Sequence, residues 1–180
     1  KFRMCVDAGN TLARVLEEPN IRTILVVGRW AVWSEGARMP NETRNPLRMF
    51  AEGDHELNRK IFSLLLQASV ETWTRNDRRV VIFGPVPELP FDLRNALQRD
   101  LMFGTERDRR VPVAEFKRRQ THVLDTLAGL ATAHNVTVFY PHKLICSDVD
   151  CATLSREGRP LYVDEDHLSR DGAALMREQI

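Results

Sequence analysis

Three short apolar runs alternate with longer amphipathic segments along the chain. The runs lie at residues 21–28, 79–84 and 136–140, and two of the three end in glycine. Continuous β-branched runs of this length are typical of strands buried on both faces of a parallel sheet. The pattern therefore predicts three buried parallel strands.

The segments between and after these runs carry the helical period. Residues 7–18, 55–73 and 113–134 repeat apolar residues every three or four positions, and a closing helix is predicted from Leu168. Residues 29–54 and 85–90 contain clustered glycine, proline or asparagine and are predicted to be loops. The predicted buried stripes are Leu57, Ile61, Leu64, Leu65 and Ala68 in the second helix, and Phe116, Val123, Leu124, Leu127, Leu130 and Ala131 in the third.

Alternation of strands and helices indicates an α/β fold with right-handed crossovers and helices on both faces of a parallel sheet. A length of 180 residues with 43% hydrophobic side chains suits one domain, which we place over residues 1–180. No run of eighteen apolar residues occurs, so we expect no membrane span in this sequence.

The charge of the chain gives no specific indication of a binding partner. The 26 basic and 25 acidic residues leave a net charge of +1, which argues against nucleic acid as a partner. The arginine-rich residues 107–119 are interrupted by acidic residues and are interpreted as a solvated helix face. No cofactor is expected, because no metal or nucleotide motif occurs.

Two of the three cysteines are separated by only four polar or small residues. Cys146 and Cys151 have the spacing of a small disulfide loop, with two free thiols as the alternative. Cys5 is left over and is expected to be free or paired outside this sequence.

The segment with the clearest chemistry is at residues 161–173, near the C-terminus. Asp164 and His167 lie three residues apart, so the carboxylate can reach the imidazole across a tight turn and fix its tautomer. The alternative role of the segment is a helix cap formed by Asp166 or Ser169. A nucleophile is not obvious, since neither Gly-Asp-Ser nor Gly-x-Ser-x-Gly occurs.

Further candidate residues lie directly after each predicted strand, at the strand exits, because ligands of parallel sheets bind at the carboxyl edge. Gly28, Arg29 and Trp30 follow the first run, and Trp30 and Trp33 offer flat surfaces for a sugar or an acyl chain. Residues 84–87 follow the second run and are predicted to form a rigid loop wall.

Taken together, these blocks resemble the C-terminal SGNH domain of bacterial membrane O-acyltransferases of the O-antigen and cell-wall acetylase type. The resemblance rests on Tyr162-x-Asp164-x-x-His167-Leu-Ser-x-x-Gly172-Ala, the Cys146/Cys151 pair and the exits at residues 27–31 and 83–89. It implies a three-layer α/β/α fold and a Ser-His-Asp triad that moves an acyl group onto a carbohydrate hydroxyl. His167 would be the base and Asp164 its orienting carboxylate.

The resemblance also implies that the nucleophile, and possible oxyanion donors, lie upstream of this sequence. Gly28 and Trp30 occupy the place of a Gly-x-Asn block, so oxyanion donors would be backbone amides or upstream groups. The family's Gly-Asp-Ser block finds no match and is expected before Lys1, which would make this chain the last two-thirds to three-quarters of such a domain. We then expect either an open, apolar sheet edge at residues 24–27 or coverage of that edge by something outside this sequence, and no acyl transfer by the 180 residues alone.

The same resemblance implies an extracytoplasmic, periplasmic domain that is tethered to the membrane by an integral-membrane acyltransferase domain of the same polypeptide. Its partners would be a carbohydrate acceptor and an acyl donor. A carbohydrate esterase with the same triad and a noncatalytic carbohydrate-binding or scaffold domain remain alternatives.

Overall fold

A parallel sheet of three strands forms the centre of the protein. The computed structural model describes residues 11–39 and 54–177. Strands β1 (Thr23–Val26), β2 (Arg79–Phe83) and β4 (Val136–Phe139) pair in the order β1-β2-β4. Their register places Ile24 beside Val80 and Val80 beside Val136. The α/β fold with a parallel sheet is therefore confirmed.

Strand β1 lies at the edge of this sheet and within the described residues pairs only with β2. Leu25 is 59% exposed, and Val27, just beyond the strand, is 70% exposed. The prediction that this run is buried on both faces is therefore wrong, because nothing described covers its free edge. Of the two outcomes expected for residues 24–27, an open edge or a covered one, residues 11–39 and 54–177 show the open edge.

Seven helices surround the sheet in the described residues. They are α1 (residues 11–17), α2 (Trp30–Glu35), α3 (His55–Trp73), α4 (Leu93–Phe103), α5 (Val113–Leu130), α6 (His142–Ile145) and α7 (Arg170–Ala174). A short 3₁₀ turn, Arg75–Asp77, follows α3. None of the described helices is long and apolar enough to cross a membrane.

Several helix predictions need correction. Residues 30–35 form α2 instead of a loop, because burial of Trp30, Ala31 and Val32 stabilises a helix too short to be recognised by its period. Helix α4 was not predicted; Asp92 caps it at its start, and Gly104 ends it in the left-handed conformation. The predicted helix over 113–134 ends at Leu130, and the closing helix begins at Arg170 rather than Leu168.

Helix α3 has the predicted bounds but buries a different stripe. Its buried residues are Asn58, Phe62, Leu66 and Val70, whereas Leu57, Leu64 and Leu65 are 42–59% exposed. The helix is apolar on more than one side, and packing against the sheet, not the sequence period, selects the buried side.

The main core forms between α3, α5 and the sheet. Phe62 of α3 and Leu127 of α5 pack with Trp30 against Val80 and Ile82 of β2. Of the stripe predicted for α5, Phe116, Val123 and Leu127 are buried.

A second, two-stranded sheet lies beyond the first. Strand β3 (Val111–Pro112) pairs with β5 (Asp150–Cys151) in antiparallel fashion. The predicted disulfide between Cys146 and Cys151 is present and ties the end of α6 to β5. Cys5 lies outside the described residues.

The prediction that the arginine-rich residues 107–119 form a solvated helix face is wrong in two respects. Residues 107–110 precede α5, and Arg109 forms an ion pair of 2.6 Å with Asp100. Arg119 has a side chain that is only 14% exposed and pairs with Glu88. The carboxylates precede their arginines by 9 and 31 positions, beyond the three- or four-residue spacing of pairs on one helix face, so that spacing did not reveal them.

Candidate active site

The segment 161–168 folds into a tight turn built around one carboxylate. Oδ1 of Asp164 accepts hydrogen bonds from the backbone N–H groups of Asp166, at 2.9 Å, and His167, at 2.8 Å. The N–H of Val163 donates to the carbonyl oxygen of His167. A short acidic side chain that bonds its own following backbone favours such a turn, so Asp164 forms the local structure and also presents a carboxylate oxygen to His167.

The His167 ring is held by the same carboxylate. Its Nδ1 lies 2.9 Å from Oδ2 of Asp164, so an N–H at Nδ1 donates to Asp164 and leaves Nε2 as the basic nitrogen. The hydrogen bond to Asp164 raises the pKa of His167 above its ordinary value of 6.5, against the lowering effect of burial. The side chain remains 64% exposed and lines a cavity.

Asp164 is ionised throughout the range in which His167 titrates. Burial alone would raise the pKa of Asp164, but the two backbone N–H donors and the His167 ring lower it to about 2. A stable carboxylate of this kind suits the stabilisation of an imidazolium ion.

A second carboxylate also faces the ring. Oδ1 of Asp166 lies 3.1 Å from Nδ1 of His167 but makes no hydrogen bond among the described residues. Burial raises the pKa of Asp166 above its ordinary value, and the nearby Arg29 and His167 offset only part of that rise. The other oxygen, Oδ2, lies 3.0 Å from Nε of Arg29.

Arg29 connects this turn to the rest of the sheet edge. Its Nε also lies 2.7 Å from Oε1 of Glu88, whose other oxygen pairs with Arg119. The Arg119 guanidinium continues to the carbonyl oxygen of Ala37, at 2.9 Å. A chain of alternating charges thus runs from the His167 turn, across the exits of β1 and β2, to helix α5.

A cavity of about 460 Å³ opens at the carboxyl edge of the sheet. Residues that follow all three strands and the His167 turn line it, mostly with apolar side chains. Its lining includes Val27, Gly28, Phe83, Pro141, His167 and Met176. This location is where open parallel sheets bind their ligands.

The three predicted residues after β1 differ in what they offer. Gly28, Arg29 and Trp30 all line the cavity. The Trp30 ring is only 7% exposed, and its Nε1–H donates to the carbonyl oxygen of Phe83 at 2.6 Å, so its indole N–H is already used. Trp33 is 46% exposed. Because Trp30 is buried, the open two-tryptophan surface considered for carbohydrate binding does not form.

Among the described residues, one group of potential metal ligands lies close together, namely Asp164, Asp166 and His167. In this group the Nδ1 side of the ring faces both carboxylates, and one of these carboxylates is paired with Arg29. This arrangement fits an ion-paired imidazole better than a cation site.

Residues 2–180 match the family described as "SGNH domain (fused to AT3 domains)". The chain belongs to this family. The SGNH domain is also similar to a solved structure from Salmonella ser. Paratyphi A, the periplasmic domain of a lipopolysaccharide acetyltransferase, with 15% sequence identity and a TM-score of 0.57. The alignment covers 88% of this chain and 55% of that one, so this chain spans little more than half of that domain. None of the curated proteins matches it in sequence.

All six serines of the 180 residues lie in the described part of the chain, and five of them form side-chain hydrogen bonds to groups other than His167. Ser34 bonds to Glu35, Ser63 to His122 and Thr126, Ser147 to Asp150, Ser155 to Glu157 and Ser169 to Pro160. The sixth, Ser69, lies on α3.

Three charged residues of the site were not predicted from the sequence. Glu88 and Arg119 were placed only in a predicted loop and on a predicted helix face, and Asp166 was not assigned a catalytic role. A glutamate among prolines directly after a strand end, as in residues 85–90, was the available signal for Glu88. Its partner Arg119 lies 31 residues further on and gave no local signal.

Proposed function

We propose that this SGNH domain supplies the base of an O-acyltransferase that moves an acetyl or other acyl group onto a hydroxyl of a surface polysaccharide. The single observation that carries the proposal is the Asp164–His167 hydrogen bond at the rim of an apolar cavity. The family's fusion to AT3 domains, a class of membrane acyltransferase domain, supports a transferase and an extracytoplasmic location at the membrane.

In this mechanism His167 first accepts the proton of a serine hydroxyl at Nε2. The serine Oγ bonds to the acyl carbon, and the imidazolium then returns the proton to the leaving group. In the second half, the sugar hydroxyl gives its proton to Nε2 and attacks the acyl-serine, and the released serine recovers the proton. Asp164 holds Nδ1–H throughout and stabilises the positive ring.

The nucleophilic serine in this proposal comes from a segment outside these 180 residues, upstream of Lys1. Two observations support it: the chain has no Gly-Asp-Ser, and five of its six serines bond to groups other than His167. The cavity walls at Gly28 and Arg29 would then face the acyl group, with backbone amides as oxyanion donors.

The test uses the full-length protein in membranes, with 4-nitrophenyl acetate as donor and an oligosaccharide of the surface polysaccharide as acceptor. We expect His167→Ala to lower acyl transfer by roughly 10⁴-fold or more. The matched control is His134→Ala, because His134 is exposed. Undiminished transfer by His167→Ala would contradict the proposal, and release of acetate without ester formation on the sugar would identify an esterase instead.

A further inference from the structure

Arg29 bridges the catalytic turn and the loop after β2. Its side chain is 19% exposed, and the carboxylates on either side, Asp166 and Glu88, are 7% and 4% exposed. Carboxylates this deeply buried are costly unless they are paired. Pairing with Arg29 therefore favours the charged form of Asp166 beside His167.

The balance of charge around the ring depends on Arg29. Three carboxylates, on Asp164, Asp166 and Glu88, are compensated by the guanidinium groups of Arg29 and Arg119. The cluster therefore carries one net negative charge when His167 is neutral and none when the ring is protonated. Such a cluster favours the imidazolium that forms during acyl transfer, without a large excess of negative charge that would keep the ring protonated.

We propose that Arg29 is a positioning residue that holds Asp166 beside the His167 ring and fixes the catalytic turn to the exit of β1. This inference rests on the proposed function for its consequence in catalysis. In this role the guanidinium of Arg29 pairs with Asp166 and Glu88 and does not bind the substrate. Asp166 is then a second carboxylate, beside Asp164, that interacts with the His167 ring.

The first experiment measures the pKa of His167 directly, by NMR titration of the labelled 180-residue chain. The charged groups that face the ring are Asp164, Asp166 and Arg29. Removing a cation favours the imidazolium, so Arg29→Gln is expected to raise the pKa of His167. Removing an anion disfavours it, so Asp166→Asn is expected to lower that pKa.

Opposite shifts are the signature of the proposal, because general loosening of the fold would not move the two variants in opposite directions. Arg29→Lys keeps the charge and should leave the pKa of His167 close to that of the wild type. Arg110→Gln is the matched control, since Arg110 pairs with Asp108 and Asp150 on the surface and should change nothing. Unchanged pKa values in both Arg29→Gln and Asp166→Asn would overturn the proposal.

The second experiment separates positioning from substrate binding in the full-length protein. Arg29→Gln is expected to lower kcat with little change in KM, and to move the acidic limb of the pH profile to higher pH. A raised KM with an unchanged limb would instead make Arg29 a substrate-binding residue and would overturn the proposal. If the wild type transfers no acyl group, the proposed function fails, while the NMR titration still decides the role of Arg29.

Folding is monitored by thermal unfolding of each variant. If Arg29→Gln does not fold, the double variant Arg29→Gln/Asp166→Asn removes both members of the ion pair and restores the charge balance. A folded double variant then supports the pairing, because it shows that Asp166 needs Arg29 only while it is charged. A double variant that is as unstable as Arg29→Gln would contradict it.

Discussion

Gly172 of α7 lies directly against the backbone of Leu161. A β-carbon at residue 172 would be 2.1 Å from the Leu161 carbonyl oxygen, well inside any real contact. The same oxygen accepts a hydrogen bond of 2.8 Å from the N–H of Ser169, the residue that caps α7. The glycine of the C-terminal motif therefore lets α7 pack against the segment that leads into the His167 turn.

Replacing Gly172 by alanine is expected to destabilise the domain by about 1–3 kcal/mol, because the backbone of Leu161 cannot move without shifting the turn. The control is Gly129→Ala on α5, where the added carbon has no neighbour within 4 Å apart from the adjoining residues and the backbone of its own helix. That change should stabilise by up to about 1 kcal/mol, as alanine favours helix. Chemical denaturation measures the free energy of unfolding of both variants. Equal changes in that free energy would refute this account of Gly172.

The Asp164–His167 pair should stabilise the fold only within a window of pH. The lowered pKa of Asp164 contributes stability above pH 3.8, and that contribution is lost as the pH falls towards about 2. The raised pKa of His167 contributes below pH 6.5 and is lost as the pH rises through the folded-state value.

The melting temperature of Asp164→Asn should therefore fall furthest below that of the wild type between pH 3.8 and 6.5. The two melting curves should converge as the pH falls towards about 2. Above the folded-state pKa of His167 they should approach each other without meeting, because the charged pair is lost while the Asp164 carboxylate still accepts two backbone N–H groups. Asp148→Asn, on an exposed loop, is the control and should follow the wild type at every pH. A difference between Asp164→Asn and the wild type that does not vary with pH would show that the pair makes no electrostatic contribution.

The disulfide is expected to stabilise the domain by restricting the unfolded chain. Closing the short loop between Cys146 and Cys151 should contribute about 2 kcal/mol, so the double variant Cys146→Ser/Cys151→Ser should unfold at lower denaturant. Thiol labelling of the unreduced, denatured chain checks the bond itself. Labelling of Cys146 and Cys151 under those conditions would contradict the pairing.

The 180-residue chain alone is expected to show no serine-dependent turnover of 4-nitrophenyl acetate, since no serine is in the motif of a nucleophile. Ester hydrolysis that disappears in Ser69→Ala, or in a variant of another serine, would contradict this and identify a nucleophile. The control is the His167→Ala chain, which reports any hydrolysis that does not depend on the proposed base.

Local patterns predicted the parts of the site that are local in sequence. Asp164 and His167 are three residues apart, and the turn between them is formed by the Asp164 side chain itself, so the spacing alone was sufficient. The bounds of α3 were also predicted, because nineteen residues of helical period leave little ambiguity.

Features that depend on tertiary packing were not predictable in this way. Helix α2 has six residues and is stabilised by the burial of Trp30. The Arg29–Glu88 pair joins residues 59 positions apart and forms because the exits of β1 and β2 meet at one edge of the sheet. Neither feature leaves a periodic signal along the chain.

The free edge of β1 has a consequence for register. A strand that pairs there would be aligned by backbone hydrogen bonds with residues 23–26, in steps of about 3.3 Å per residue. A slip of one residue would turn each of its side chains to the opposite face of the sheet. If such a strand carries the serine, main-chain pairing along β1 would determine whether its hydroxyl reaches His167.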